Sequence, residues 1–368
     1  MRHQTVFSFV SVAALGAVLL AVPIVIDDAF LINKWARYCC LAMLAVALSF
    51  SWGYAGILNL GQAVSFGVGA YAMAMHLKLK TTPIHTGADG LPDFMVWNNV
   101  ERLPLFWVPF RSEAFALAAG VLLPVLLASL LGWFMFRGRV TGVYVAIITL
   151  ATMVVINLLV IDQQAYTGGF NGITDLGYLV VFGHEFDPYA LDVYFLAAGG
   201  LIAALLLGYL VVHSRAGLVL QAIRDSEDRV RFFGFDVARF KIGAFAFSAA
   251  VAGAAGMIYT VVMEFASPTF MDVPFSLAVV IWVAVGGRQS LLGAAIGALL
   301  VNGVQGALSE TPLFLKSWSL VMGLLFIAVV LFLPQGLAGL IGQLSTRVRR
   351  AVAQSDRALA TPVARSEV

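Results

Sequence analysis

From Ala114 to Phe136, and again from Val140 to Ile161, the chain carries no Asp, Glu, Lys or Arg. Each run is as long as the roughly 20 apolar residues a helix needs to cross a bilayer. Further stretches of the same character bring the expected spans to Phe7–Ile26, Trp35–Tyr54, Ile57–Leu77, Glu113–Phe136, Val140–Ile161, Asp192–His213, Lys241–Met263, Val273–Val285, Ser290–Leu308 and Ser317–Leu340. Val273–Val285 is short, and Ile57–Leu77 is rich in glycine with Asn59 and Gln62 at its entrance, so either reads as a broken or re-entrant helix. The sequence therefore predicts an all-α polytopic integral membrane protein of about ten transmembrane helices, eight at the fewest. Charged residues make up only 11% of the 368, where a soluble domain carries about 25%. So few charges exclude an ordinary soluble enzyme, a disordered chain and a nucleic-acid-binding protein. Phe7–Ile26 is followed by Asp27-Asp28 and lacks a small-x-small cleavage site, so it is expected to stay as an uncleaved helix.

With ten spans and a cytoplasmic N-terminus, 15 of the 22 basic residues fall on the cytoplasmic side, in line with the positive-inside rule. Asp162–Asp192, with five acids and no Lys or Arg, falls outside. Lys34, Arg37, Lys78 and Lys80 are exceptions expected at helix ends, where long stems reach the headgroups. Residues 1–340 thus read as a transmembrane domain with outer loops 81–112 and 162–191 and a cytoplasmic loop 214–240. The first outer loop mixes Pro83, Pro92, Pro104 and Pro109 with Trp97, Phe106 and Trp107; prolines interrupt helices and the aromatics suit a membrane interface. Residues 341–368 read as a polar, disordered cytoplasmic tail.

No catalytic constellation emerges. Cys39 and Cys40 are adjacent in an apolar run, a place for small apolar fillers. The five histidines have no metal-ligand spacing, and the absence of any Gly-Lys pair removes the usual phosphate loop. With no charge in the middle of a span, a path through the protein would suit a neutral or zwitterionic solute and need energy from elsewhere.

The large cytoplasmic loop is the most informative segment. Gln221 to Gly234 reads as one short amphipathic helix ended by glycine, with Ile223, Val230 and Phe233 on one side and charges on the other. Periodicity alone leaves two readings open, a connecting loop or a docking helix for a separate ATPase. Arg224-Asp225-Ser226-Glu227, followed by Gly234 and by Lys241 opening the run Ala244-Phe245-Ala246-Phe247, resembles the coupling loop of ABC importer permeases, specifically the branched-chain amino acid permease family. Asp228 to Gly234 has the spacing of the wider importers' Glu-Ala-Ala-x-x-x-Gly signature, with Arg229 and Val230 in place of the alanines. Three further blocks are similar to that family: Gly53–Ala63 running into Phe66–Tyr71; Thr149-Leu150-Ala151 with Gly168–Ile173; and Gly286-Gly287 with Gly293 and Gly297. Within the family, Leu91–Trp97 and Leu103–Trp107 resemble an outer insert of the urea-importing branch, as does Asn171–Asp175, while Phe170 departs from it.

The resemblance implies an ABC importer permease fold and a multi-pass, non-catalytic subunit of a bacterial inner membrane, both termini cytoplasmic. Its implied partners are a second homologous permease in a heterodimer, two ATP-binding subunits that carry the ATP and Mg, and a periplasmic solute-binding protein, with membrane lipid around them. This chain itself would hold no cofactor. Urea is the implied cargo, with branched-chain amino acids or short-chain amides as the alternative and a passive channel as a more distant one. Ala222, Arg224, Asp225, Glu227, Asp228 and Gly234 would form the ATPase-coupling loop.

Asn59, Gln62 and Ser65 recur at a spacing of three and share a helix face. They line a path, or else serve as polar glue to a neighbouring helix. Gly61, Gly67, Gly69, Gly286, Gly287, Gly293 and Gly297 are candidates for close helix packing, inside this subunit or at a seam with its partner. Asn171, Thr174 and Asp175 either contact the binding protein or shape a turn.

Overall fold

A computed structural model describes residues 2–81, 90–181 and 183–308, with isolated positions between 320 and 339. The tail 341–368, residues 82–89 of the first outer loop and nearly all of the expected span Ser317–Leu340 lie outside the described residues. The elements in order are α1 (Arg2–Val25), α2 (Ala29–Ser49), α3 (Gln62–Thr81), α4 (Asp93–Trp97), α5 (Glu113–Arg137), α6 (Val143–Asp162) and α7 (Gln164–Thr167). There follow β1 (Leu179–Val181), β2 (His184–Phe186), α8 (Leu191–Val212), α9 (Arg215–Asp225), α10 (Glu227–Phe232), α11 (Val237–Met263), α12 (Val273–Gly286) and α13 (Leu291–Leu308). The chain is mostly helical as expected, with one short antiparallel pair, β1 and β2, turning at Gly183 with φ +81°.

Six of the described helices are long and apolar enough to cross a membrane: α2 with its continuation to Tyr54, α5, α6, α8, α11 and α13. The protein is a multi-pass helical membrane protein. Two other expected spans differ for physical reasons. α12 has only 14 residues, and α3 carries Gln62, Ser65, His76, Lys78 and Lys80. α3 tolerates this polarity because it is buried along nearly its whole length, inside protein rather than lipid.

Helix starts follow local chemistry. Asp28, Ser214, Asp236 and Asp272 cap α2, α9, α11 and α12, each side chain accepting from a backbone N–H in the first turn. The Asp28 cap places the start of α2 six residues before the expected Trp35. Lys34 and Arg37 therefore lie within the early turns of the helix rather than beyond its end.

The core is the packing of α11 against α3, α5 and α2, with α2 in turn against α8, α12 and α13. Small residues let these backbones touch. A Cβ built on Gly69 of α3 would lie 2.1 Å from the Gly253 carbonyl oxygen of α11, and one on Gly256 would lie 1.9 Å from that of Phe66. The other glycines singled out from sequence also meet atoms of this same chain. Gly61 faces the Thr149 carbonyl, Gly67 faces Met271, and Gly293 and Gly297 face Gly286 across the α12–α13 contact. Gly287, at φ +111°, makes the turn between those two helices. At the other extreme α6 is only 22% buried over its apolar window against 78% for α2. Its outward face of Tyr144, Ile147, Val155 and Leu158 is bare.

Candidate functional site

The helix that begins at Ala29 does not continue into α3. Its hydrogen bonding widens to the π pattern at Phe50–Tyr54, Ala55–Gly61 is non-helical, and α3 starts only at Gln62. The expected span Ile57–Leu77 is thus a broken one whose first five residues are not helix. Gly53 is required there, since a Cβ would stand 1.8 Å from the Arg288 carbonyl oxygen, and Gly56 adopts φ +71°.

Irregular backbone inside an apolar bundle must find partners within the protein. Leu60 N–H donates to Thr149 Oγ1 of α6 at 3.1 Å, and Ser276 Oγ of α12 donates to the Leu60 carbonyl. Gly61 N–H donates to Asn59 Oδ1 at 2.9 Å. Asn59 Nδ2 donates to Gln62 Oε1 at 2.7 Å, and Gln62 Nε2 donates to the Ser248 carbonyl of α11 at 3.1 Å. Ser248 Oγ completes the set by donating to the Ala47 carbonyl of α2 at 2.6 Å. Asn59 and Gln62 thus commit amide groups to each other and to backbone, while Ser65, one turn into α3, is buried beside them.

A cavity of about 200 Å³ opens next to this network, between α3, α5 and α6. Asn59, Ser65, Thr149 and Thr152 supply its polar atoms, and Leu131 and Phe245 belong to its apolar wall. Among the described residues, no charged side chain lines it. Chemically it suits the uncharged part of a small solute, with a few hydroxyls and one amide edge in reach.

At one end of the bundle the segment expected as a single helix is two. Ser226, extended at φ −162°, ends α9 and starts α10, and Gly234 at φ +85° follows α10. Ile223 and Val230 pack with Val237 in a small apolar cluster, but Phe233 does not join them. The kink at Ser226 rotates α10, so Phe233 is 77% exposed and Phe232 89% exposed. Arg224 is clamped by Asp225 Oδ1 through Nε at 2.9 Å and Nη2 at 2.8 Å. Its Nη1 donates to the Gly53 carbonyl at 2.7 Å. Glu227 accepts from Arg231 and from Lys241 of α11, each at 2.5 Å, and Lys241 sits 5.6 Å from the Phe136 ring centroid of α5. Arg224 and Glu227 are therefore committed inside this chain, whereas Ala222, Asp225, Asp228 and Gly234 are exposed. The sequence pattern does not mark Phe232 and Phe233 as a pair at the surface, although two adjacent phenylalanines in a charged segment are the available signal.

At the opposite end Asn171, Thr174 and Asp175 are exposed on a turn pinned from beneath. Ile173 bridges to Ala266 through paired backbone bonds. Buried Lys78 donates to the Thr174 carbonyl at 2.9 Å and pairs with Asp93 of α4 at 3.0 Å. One cation thus joins α3, α4 and this turn, a role no sequence spacing reveals.

Residues 31–330 match the family model for the branched-chain amino acid transport system permease component. The chain belongs to that family. It is 27% identical to the high-affinity branched-chain amino acid transport system permease protein LivM of Escherichia coli K12, over 80% of this chain and 67% of the relative. Its identity to the LivM of Salmonella typhimurium is 26%, with the same coverage of 80% and 67%. The ribose import permease protein RbsC of Haemophilus influenzae is 25% identical over 51% of this chain and 58% of its own. No solved structure shows significant similarity to the chain. The family match covers the break, the cavity and the α9–α10 loop alike.

Thr149→Val keeps the shape of the side chain and removes the oxygen that accepts from Leu60 N–H. An unsatisfied buried donor costs about 1–3 kcal/mol. The variant is expected to melt several degrees lower in detergent and to lose most of its transport. Thr152, whose hydroxyl donates within its own helix to the Ile148 carbonyl, supplies the control: Thr152→Val should melt as wild type does.

Proposed function

We propose that this permease is one membrane-spanning subunit of an ATP-driven importer in a bacterial inner membrane and that its cargo is urea. The observation that carries the importer reading is the α9–α10 loop. It is held rigidly to the helix bundle by Arg224 and Glu227, and it presents Phe232 and Phe233 bare to the surroundings. Exposed aromatic pairs on a rigid support are typical binding anchors. In this reading the loop faces the cytoplasm and docks on ATPase subunits that carry ATP and Mg. The chain crosses the membrane about ten times, counting α1, α3, α12 and Ser317–Leu340 with the six apolar helices. A second homologous permease covers part of the outward faces of α5 and α6. The turn bearing Asn171, Thr174 and Asp175 receives a periplasmic solute-binding protein, and Asn59 and Ser65 meet the solute.

Urea is favoured by the residues at Leu91–Trp97, Leu103–Trp107 and Asn171–Asp175, which resemble the urea-importing branch. A second cargo, branched-chain amino acids, is favoured by a different observation: the cavity wall is overwhelmingly apolar, and two of the relatives are named for that transport. Uptake of labelled urea in cells expressing the whole system discriminates between them. Excess unlabelled urea is expected to abolish the signal and excess leucine to leave it intact; inhibition by leucine transfers the assignment to amino acids.

Replacing both phenylalanines, Phe232→Ser with Phe233→Ser, is expected to leave membrane insertion intact and lower recovery of co-purified ATPase at least tenfold, since aromatic anchors commonly contribute about 2 kcal/mol or more. Full recovery of the ATPases with this double variant would remove the docking role of the pair.

A further inference from the structure

The side chain of Arg224 reaches out of α9 and touches the helix break itself. We propose, resting on the importer reading above, that Arg224 is a positioning residue that passes movement of the α9–α10 loop to the break beside the cavity.

Three features make this contact a strut rather than an incidental bond. Asp225 Oδ1 holds one edge of the guanidinium, accepting from both Nε and Nη2, so Nη1 on the opposite edge is directed away from Asp225. That donor meets the Gly53 carbonyl at 2.7 Å, in the π-helical turn that leads into the non-helical stretch. The stem of the same side chain lies against Gly56, where an added Cβ would stand 3.1 Å from Arg224 Cγ. Arg224 thus holds the break at two points three residues apart.

On its other side the break rests on the turn between α12 and α13. Ser49 Oγ donates to the Arg288 carbonyl at 3.1 Å, and Tyr54 donates to the Gln289 carbonyl at 2.9 Å. Gly53 therefore sits between Arg224 and Arg288, with no space for displacement in the second direction. A push from α9 is relieved along the chain, through Ile57 and Leu60 to Asn59 and Thr149 at the cavity. Glu227 makes a separate connection, to α11 through Lys241. The loop consequently holds the break and α11 by different residues, and only the first contact reaches the non-helical segment.

The test uses the complete transporter reconstituted in vesicles, with urea and leucine as alternative cargoes, and reads solute moved per ATP hydrolysed. Arg224→Ala is expected to assemble with the ATPases in wild-type yield and to hydrolyse ATP. Its coupling ratio should fall about tenfold, the loss expected for one charge-assisted hydrogen bond. Arg224→Lys, which can still donate to the Gly53 carbonyl but loses the edge-on pairing with Asp225, should recover part of that loss. A wild-type coupling ratio in Arg224→Ala overturns the proposal, and so does loss of the ATPases from its preparations, which would make Arg224 a docking residue. If Arg224→Ala fails to accumulate, Arg224→Lys decides alone: a reduced ratio supports the strut and an unchanged one overturns it. A wild-type complex that moves neither cargo with ATP overturns the importer reading instead, so the two failures are distinguishable.

Discussion

A peptide group without a hydrogen-bond partner in an apolar interior costs several kcal/mol. A continuous helix avoids that cost by its own ladder, and most of this protein does so. The segment from Ala55 to Gly61 does not, and side chains meet part of its buried backbone instead. Thr149 of α6 and Ser276 of α12 hold the two peptide groups of Leu60, and Asn59 within the break accepts from the Gly61 N–H. That requirement brings α6 against the break, where Gly61 leaves room for the Thr149 carbonyl. The polar atoms at the cavity are there first because the backbone needs them. Whatever solute passes would meet groups already serving a structural purpose.

The same segment joins the two ends of the account. Towards α9 it is gripped by Arg224, and towards the cavity it carries Asn59. A regular helix at this position would transmit force as a rod, whereas a non-helical stretch can change shape locally while α2 and α3 stay intact. In alternating access, the two end states must differ in their contacts with the driving partner. A loop whose exposed surface is Phe232 and Phe233, and whose hidden surface is Arg224 and Glu227, separates those contacts from the parts that move. The opposite end is built on another contact: Lys78 fastens α4 and the 171–175 turn to α3.

Much of this is legible in the residues, and the pattern of success has physical causes. Glu113–Phe136 lies within one residue of α5 because charged residues bound an uninterrupted apolar run. The start of α3 is misplaced by sequence because Ile57, Leu58 and Leu60 are as apolar as a helix would be; only Gly53, Gly56 and Gly61 hint at a break. Asn59 and Gln62 and their mutual spacing are visible, but the groups that other helices bring to this region are not. Thr149, Ser248 and Ser276 lie 89, 186 and 216 residues from the groups they meet, beyond any local spacing rule. The polar segment between α8 and α11 is visible in its charges while its inner arrangement is not, since a stripe drawn through one helix fails once Ser226 divides it. That division leaves Phe233, expected on the apolar side, exposed; separately, Arg224, expected on the charged side, reaches inward to the Gly53 carbonyl.

The most direct measurement of the central claim, that the cavity beside the break is a path under nucleotide control, is thiol labelling of Thr152→Cys in the assembled transporter. Native Cys39 and Cys40 are fully buried and contribute no background. A small water-soluble thiol reagent is expected to modify position 152 at a rate that changes severalfold between nucleotide-free and ATP-bound states. A rate that is the same in both states, and no greater than that of the outward-facing control Leu158→Cys, would contradict it.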